Sequence, residues 1–240
     1  MSEPTAFLQA LRASTADLVK GVLESHWSDE DVAAPSLLPG WTRGHVLTHI
    51  ARNADGIADT LAGALRGEIV DRYASWEARN SAIDDGAARP FAALVTDVRE
   101  SAERLDRVFG AVAEVDGWEL ATEHGDHAEA WVWRRWREVE IHRVDLASEY
   151  TPDRWPALFV ATALDEAAVS LASRIKGAVR VEVSAEGSVS PACVGKTWEA
   201  GEGTPVDVRG PDWAVLAWLT GRAEVVRGEL STAPELGPWR

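Results

Sequence analysis

Residues 136–142 read Trp136-Arg-Glu-Val-Glu-Ile-His142, and the spacing inside that run decides what kind of fold holds it. Glu138 and His142 are four apart, so on a helix they share one face. An i,i+4 pair of this kind is ordinarily a surface ion pair. Here Trp131, Trp133, Trp136, Val139 and Ile141 leave the helix little polar face, so some of its charged groups are buried and need partners. Glu140 lies two residues from both members of the pair and faces elsewhere. With a second imidazole from a facing helix, Glu138 and His142 would make three N/O ligands, the donor number of a catalytic zinc site that keeps one position open.

Upstream, apolar residues recur at helical spacing in three further segments. Phe7, Leu8, Leu11, Leu18, Val19, Val22 and Leu23 predict a helix over 5–24. A loop from His26 to Trp41 ends at Thr42, an N-cap residue for a second helix running to about Arg66. A short helix is expected around Trp76 to Ile83, with a break from Gly86 to Pro90. Phe91, Leu94, Val95, Val98, Leu105 and Val108 mark a third long helix over roughly 91–109, and the run quoted above falls in a fourth over roughly 126–148. Four long helices suggest a bundle, a scaffold that builds metal sites from inward-facing side chains.

The last ninety residues differ. Two prolines and Asp153 break the pattern at Tyr150 to Pro156, and a helix is expected over about 156–176. Val179, Val181 and Val183 then alternate with Arg180, Glu182 and Ser184 as in a half-buried strand. Val206 and Val208 give a second short strand, and a helix runs from Pro211 and Asp212 to a stop at Gly221. The expected fold class is therefore α+β: a four-helix bundle over 1–150 and a smaller α/β domain over 151–240.

Composition narrows the functions open to such a fold. A net charge of −15 argues against a nucleic-acid partner, because phosphate neutralisation needs excess Lys and Arg. No run of about 18 apolar residues and no basic-then-apolar leader is present, so the expectation is a cytoplasmic protein without a membrane partner. Nothing in the sequence implies a protein partner. The single cysteine, Cys193, excludes an internal disulfide and a thiolate metal cluster, so any zinc must use His and carboxylate. It falls in a loop far from the histidines and reads as an inert, half-buried thiol.

His45 and His49 are also four apart, and spacing does not choose between them as the second imidazole. His124 and His127 read as solvated loop histidines, and the helically spaced tryptophans as core. Asp145, three beyond His142, is either a carboxylate that orients the imidazole or a plain exterior residue.

The stretch Leu38-Pro-Gly-Trp-Thr-Arg-Gly-His-Val-Leu-Thr-His-Ile-Ala51 resembles the start of the second helix in the DinB-like superfamily of four-helix-bundle metalloproteins. Its metal ligand there maps onto His49. Trp136 to Leu146 resembles the last bundle helix of one branch, the mycothiol-dependent maleylpyruvate isomerase family, in which a Glu stands four residues before the final His. Arg79-Asn-Ser-Ala-Ile-Asp-Asp-Gly-Ala87 and Trp218-Leu-Thr-Gly-Arg222 are similar to further motifs of that family, the second within a domain similar to sterol-carrier folds.

The resemblance implies metal ligands His49, Glu138 and His142, catalytic residues Arg79 and Arg222, and zinc (or another divalent ion) with mycothiol as cofactors. The implied partners are a small-molecule substrate and a low-molecular-weight thiol. The implied reaction is cis-trans isomerisation of maleylpyruvate to fumarylpyruvate. Transfer of the thiol to an electrophile, or metal and thiol binding without turnover, are the alternatives. Without the resemblance, Arg79 would read as a solvated helix residue and Arg222 as a cation offsetting a helix C-terminus.

Overall fold

The computed structural model describes residues 3–239. It divides into two compact units, Met1–Ser148 and Glu149–Arg240. The first contains helices α1 (Glu3–Glu24), α2 (Asp29–Ala33), α3 (Arg43–Leu65), α4 (Trp76–Ala87), α5 (Phe91–Glu114) and α6 (Ala128–Asp145). Four of these are long and form the bundle: α3 packs on α5 and α6, and α1 packs on α6 and α5. Leu18, Leu47, Ile50, Ile57, Leu61, Phe109, Trp131 and Trp136 fill the interior and are fully buried. Each such side chain contributes roughly 1.5–3 kcal/mol through removal from water. Among the described residues no helix is long and apolar enough to cross a membrane.

Two features hold α3 and α4 in the places that matter for the site. Thr42 caps α3: its hydroxyl accepts the His45 backbone N–H, while the His45 ring Nδ1 accepts the Thr42 N–H at 3.1 Å, completing a capping box. Glycines then let α4 lie close against α3. A Cβ on Gly44 would run into the Ala87 carbonyl, and one on Gly86 into the Thr48 side chain. α6 stops where Ala147 takes a left-handed φ of 52°.

The second unit holds α7 (Ala157–Val169), α8 (Leu171–Arg174), β1 (Ala178–Val183), β2 (Thr197–Ala200), β3 (Pro205–Gly210) and α9 (Asp212–Leu219). The sheet order is β2-β1-β3, with β2 antiparallel and β3 parallel to β1. Val179, Val181 and Val183 are buried, and α9 packs on β1, β3 and α7.

Helical and strand periodicity thus lead to the observed α+β class, with four departures in detail. The 26–41 segment is not wholly loop: a Ser28 cap, its hydroxyl accepting the Asp31 N–H, starts the short helix α2. Helix α5 runs five residues past the expected end at 109, to Glu114. The helix expected over 156–176 breaks at Ser170, whose hydroxyl donates to the Ala167 carbonyl. Strand β2 was not expected; it lies at the sheet edge, its residues exposed or half-buried, and so lacks a full apolar alternation.

Candidate metal centre

Helix α3 and helix α6 bring three side chains to one point. His49 Nε2 lies 3.0 Å from Glu138 Oε2 and 3.1 Å from His142 Nε2, and His142 Nε2 lies 3.3 Å from the same Glu138 oxygen. All three donor atoms fall within 4.8 Å of one another, a grouping that could hold a metal ion. The imidazole planes cross at 89° with centroids 4.6 Å apart, so the two rings meet edge-on rather than stacking.

The donor set fits a cation on chemical grounds. Two Nε2 atoms and a carboxylate oxygen in one triangle are mainly lone-pair donors, and protons can satisfy only some of those contacts. Around a tetrahedral ion with bonds of about 2.0–2.2 Å, neighbouring donors sit about 3.3–3.6 Å apart, close to the spacing found.

Electrostatics favour the same use at His49 and Glu138. Burial pushes His49 down to about 4, keeping its ring neutral. Burial alone would raise Glu138, but its contacts with the His142 and His49 imidazoles hold its carboxyl well below the usual carboxylate range. His142 is likewise opposed by burial, yet its bonds to Asp145 and Glu138 leave it raised. Asp145 is fully buried, and its Oδ2 accepts from His142 Nδ1 at 2.8 Å. It is therefore the orienting carboxylate of the two readings left open by sequence.

Arg79 reaches the cluster from α4. Its Nη2 lies 3.1 Å from His49 Nδ1, and its guanidinium sits 5.8 Å from the Tyr73 ring and 5.5 Å from the Trp76 ring. It is half-buried rather than a solvated helix residue. Arg222 belongs to the second unit, just beyond α9, where its Nη1 donates to the Thr220 carbonyl.

The other histidines have different employment. His45 serves the α3 cap and stands 3.8 Å from Asp84. His124 is exposed in a left-handed turn, and half-exposed His127 pairs with Glu119 at 3.2 Å. Glu140 points away to Ser14 and Trp136. Cys193 is fully buried in the second unit, more so than its loop position suggested, and burial pushes its thiol up.

Sequence reading overlooked one neighbour. Arg135, three residues before Glu138, is 2% exposed and donates through Nη1 to the Ile50 carbonyl and Asn53 Oδ1, both at 2.8 Å. The available signal was an arginine embedded in the tryptophan-rich run that also holds Glu138.

No curated protein matches the sequence. The solved structure described as the mycothiol-dependent maleylpyruvate isomerase is 26% identical, with a TM-score of 0.84 over 99% of this chain and 98% of that one. A histidine-to-alanine mutant of that isomerase is 27% identical, with a TM-score of 0.83 over the same shares. The family described as the mycothiol maleylpyruvate isomerase N-terminal domain matches residues 8–147, more than half of the sequence and all three converging side chains, and the chain belongs to that family.

Proposed function

We propose that this protein is a mycothiol-dependent maleylpyruvate isomerase, converting the cis olefin to fumarylpyruvate with zinc, or another divalent ion, and mycothiol as cofactors. The observation that carries the reading is the convergence of His49 Nε2, Glu138 Oε2 and His142 Nε2 within 3.0–3.3 Å of one another. Family membership and the likeness to the solved isomerase support it.

A carbon–carbon double bond does not rotate at useful rates, so isomerisation needs reversible addition of a nucleophile, rotation about the resulting single bond, and elimination. The chain's own thiol is unsuited to that part: Cys193 is fully buried, and burial pushes its thiol up, away from the thiolate form. An external thiol, as the family's description names, would serve instead. His49, Glu138 and His142 would hold the ion, which when bound acts as a Lewis acid that lowers the pKa of a coordinated thiol.

The residues around the ligands have defined tasks. Asp145 keeps the His142 proton on Nδ1 and so leaves the Nε2 lone pair facing the cluster. Glu138, held ionised, offsets part of the positive charge gathered there. Addition next to a carbonyl builds negative charge on the substrate oxygens, which calls for preorganised cations. Arg79, beside His49, supplies one such donor, and Arg222 is assigned as a second on its Trp218 to Arg222 motif.

The test is to incubate zinc-loaded protein and maleylpyruvate with and without mycothiol, following both fumarylpyruvate and free thiol. Thiol-dependent formation of fumarylpyruvate at constant total thiol is expected. Accumulation of a stable thioether would replace this reading with thiol transfer, and absence of any reaction would leave only binding.

A further inference from the structure

A cavity of about 690 Å³ opens between α1 and α5 of the first unit, lined by Leu11, Val19 and Leu23 on one side and Leu105 and Phe109 on the other. That volume is in the range of sites for small organic ligands. Arg135 also lines it, arriving from α6 through the bundle interior. Burying a guanidinium costs several kcal/mol unless its donors are met. Nη1 is met by the Ile50 carbonyl and Asn53. Neither Nε nor Nη2 has an acceptor among the described residues, and neither is among the nitrogens sealed from solvent without a partner.

The charges at the cavity mouth cancel. Arg12 pairs with Asp106 at 2.6 Å, Arg99 with Glu103 at 3.1 Å, and Lys20 stands 4.0 Å from Glu24. Those three cations are also exposed to water, which serves their remaining donors, whereas Arg135, 2% exposed, holds its spare donors inside apolar walls.

We propose that this cavity is a second ligand site, separate from the candidate metal centre, for an amphipathic carboxylate. The carboxylate would accept from Arg135 Nε and Nη2, which a guanidinium offers as a fork. Its apolar chain would lie along the leucines and Phe109. A neutral apolar molecule fills the same walls but leaves the two N–H groups without an acceptor, so the site discriminates by charge.

The test is calorimetric titration of the intact, metal-loaded protein with decanoate and, in parallel, decanol. Decanoate is expected to bind once per chain and at least tenfold more tightly than decanol. Ala102→Trp, on the half-buried α5 wall of the cavity, is expected to weaken decanoate at least tenfold with metal content unchanged. Arg135→Met is expected to bring decanoate down to the level of decanol. Because Arg135 is buried and its loss can unfold the bundle, Ala102→Trp carries the test alone if that variant is not folded. Equal binding of decanoate and decanol, decanoate binding that survives Ala102→Trp, or no binding at millimolar concentration would each overturn the proposal.

Discussion

Nη2 of Arg79 lies 3.1 Å from Nδ1 of His49, on the edge of the ring opposite the nitrogen that faces Glu138 and His142. His142 presents the reverse arrangement, with its Nδ1 against the Asp145 carboxylate. A guanidinium can only donate and a carboxylate only accept, so the two imidazoles carry their protons on opposite nitrogens. Neutral His142 is protonated at Nδ1, whereas His49 is protonated at Nε2 and donates to Glu138. For His49 to offer Nε2 to an ion, its proton must move to Nδ1, and Arg79 must then give up this contact.

That relationship predicts a change of tautomer. Long-range nitrogen–proton NMR of the metal-free protein should show His49 protonated at Nε2, and addition of zinc should shift the proton to Nδ1. A ring already protonated at Nδ1 without metal would contradict the reading of the Arg79 contact.

Arg79→Met should separate binding from turnover. The three converging donors are untouched, so metal content should stay at the wild-type level. Loss of a donor aimed at developing negative charge should lower kcat by about 10²–10³-fold. Equal loss of metal and activity would show that Arg79 is structural.

His45 and His49 share a helix and a spacing, and the expected variants differ sharply. His45→Ala removes one half of the α3 capping box, which should cost about 1 kcal/mol in denaturant unfolding and spare the metal. His49→Ala should abolish metal retention. Similar metal content in the two variants would remove His49 from the ligand set.

Asp145→Asn should weaken zinc affinity by about 10–100-fold in a competition titration with a chelator, because the carboxylate no longer fixes the His142 tautomer. Unchanged affinity would reduce Asp145 to a packing residue.

Cys193 supplies a control on the external thiol. Its thiol is raised by burial, so at pH 8 the thiolate fraction is below that of an exposed cysteine, and labelling grows as pH rises. Iodoacetamide should modify native protein at least tenfold more slowly than unfolded protein, and Cys193→Ala should leave mycothiol-dependent turnover intact. Loss of turnover in Cys193→Ala would contradict the assignment.

How much of this was legible in the sequence depends on the range of the interaction. The Glu138 and His142 spacing is local, and α6 carries it directly into the structure. The choice between His45 and His49 is not settled by spacing; the capping box that occupies His45 depends on the turn at Thr42. The Arg79 contact depends on how closely α4 lies on α3, which Gly44 and Gly86 permit but no periodicity announces. Arg135 went unnoticed because its partners, Ile50 and Asn53, lie more than eighty residues away. Strand β2 was missed because an edge strand with little burial carries no strong period.

The most direct measurement is the metal content of purified protein beside Glu138→Ala. Elemental analysis should find one divalent ion per chain in the wild type and close to none in the variant. A variant that holds its ion as the wild type does would contradict the claim that Glu138, with His49 and His142, forms the metal centre.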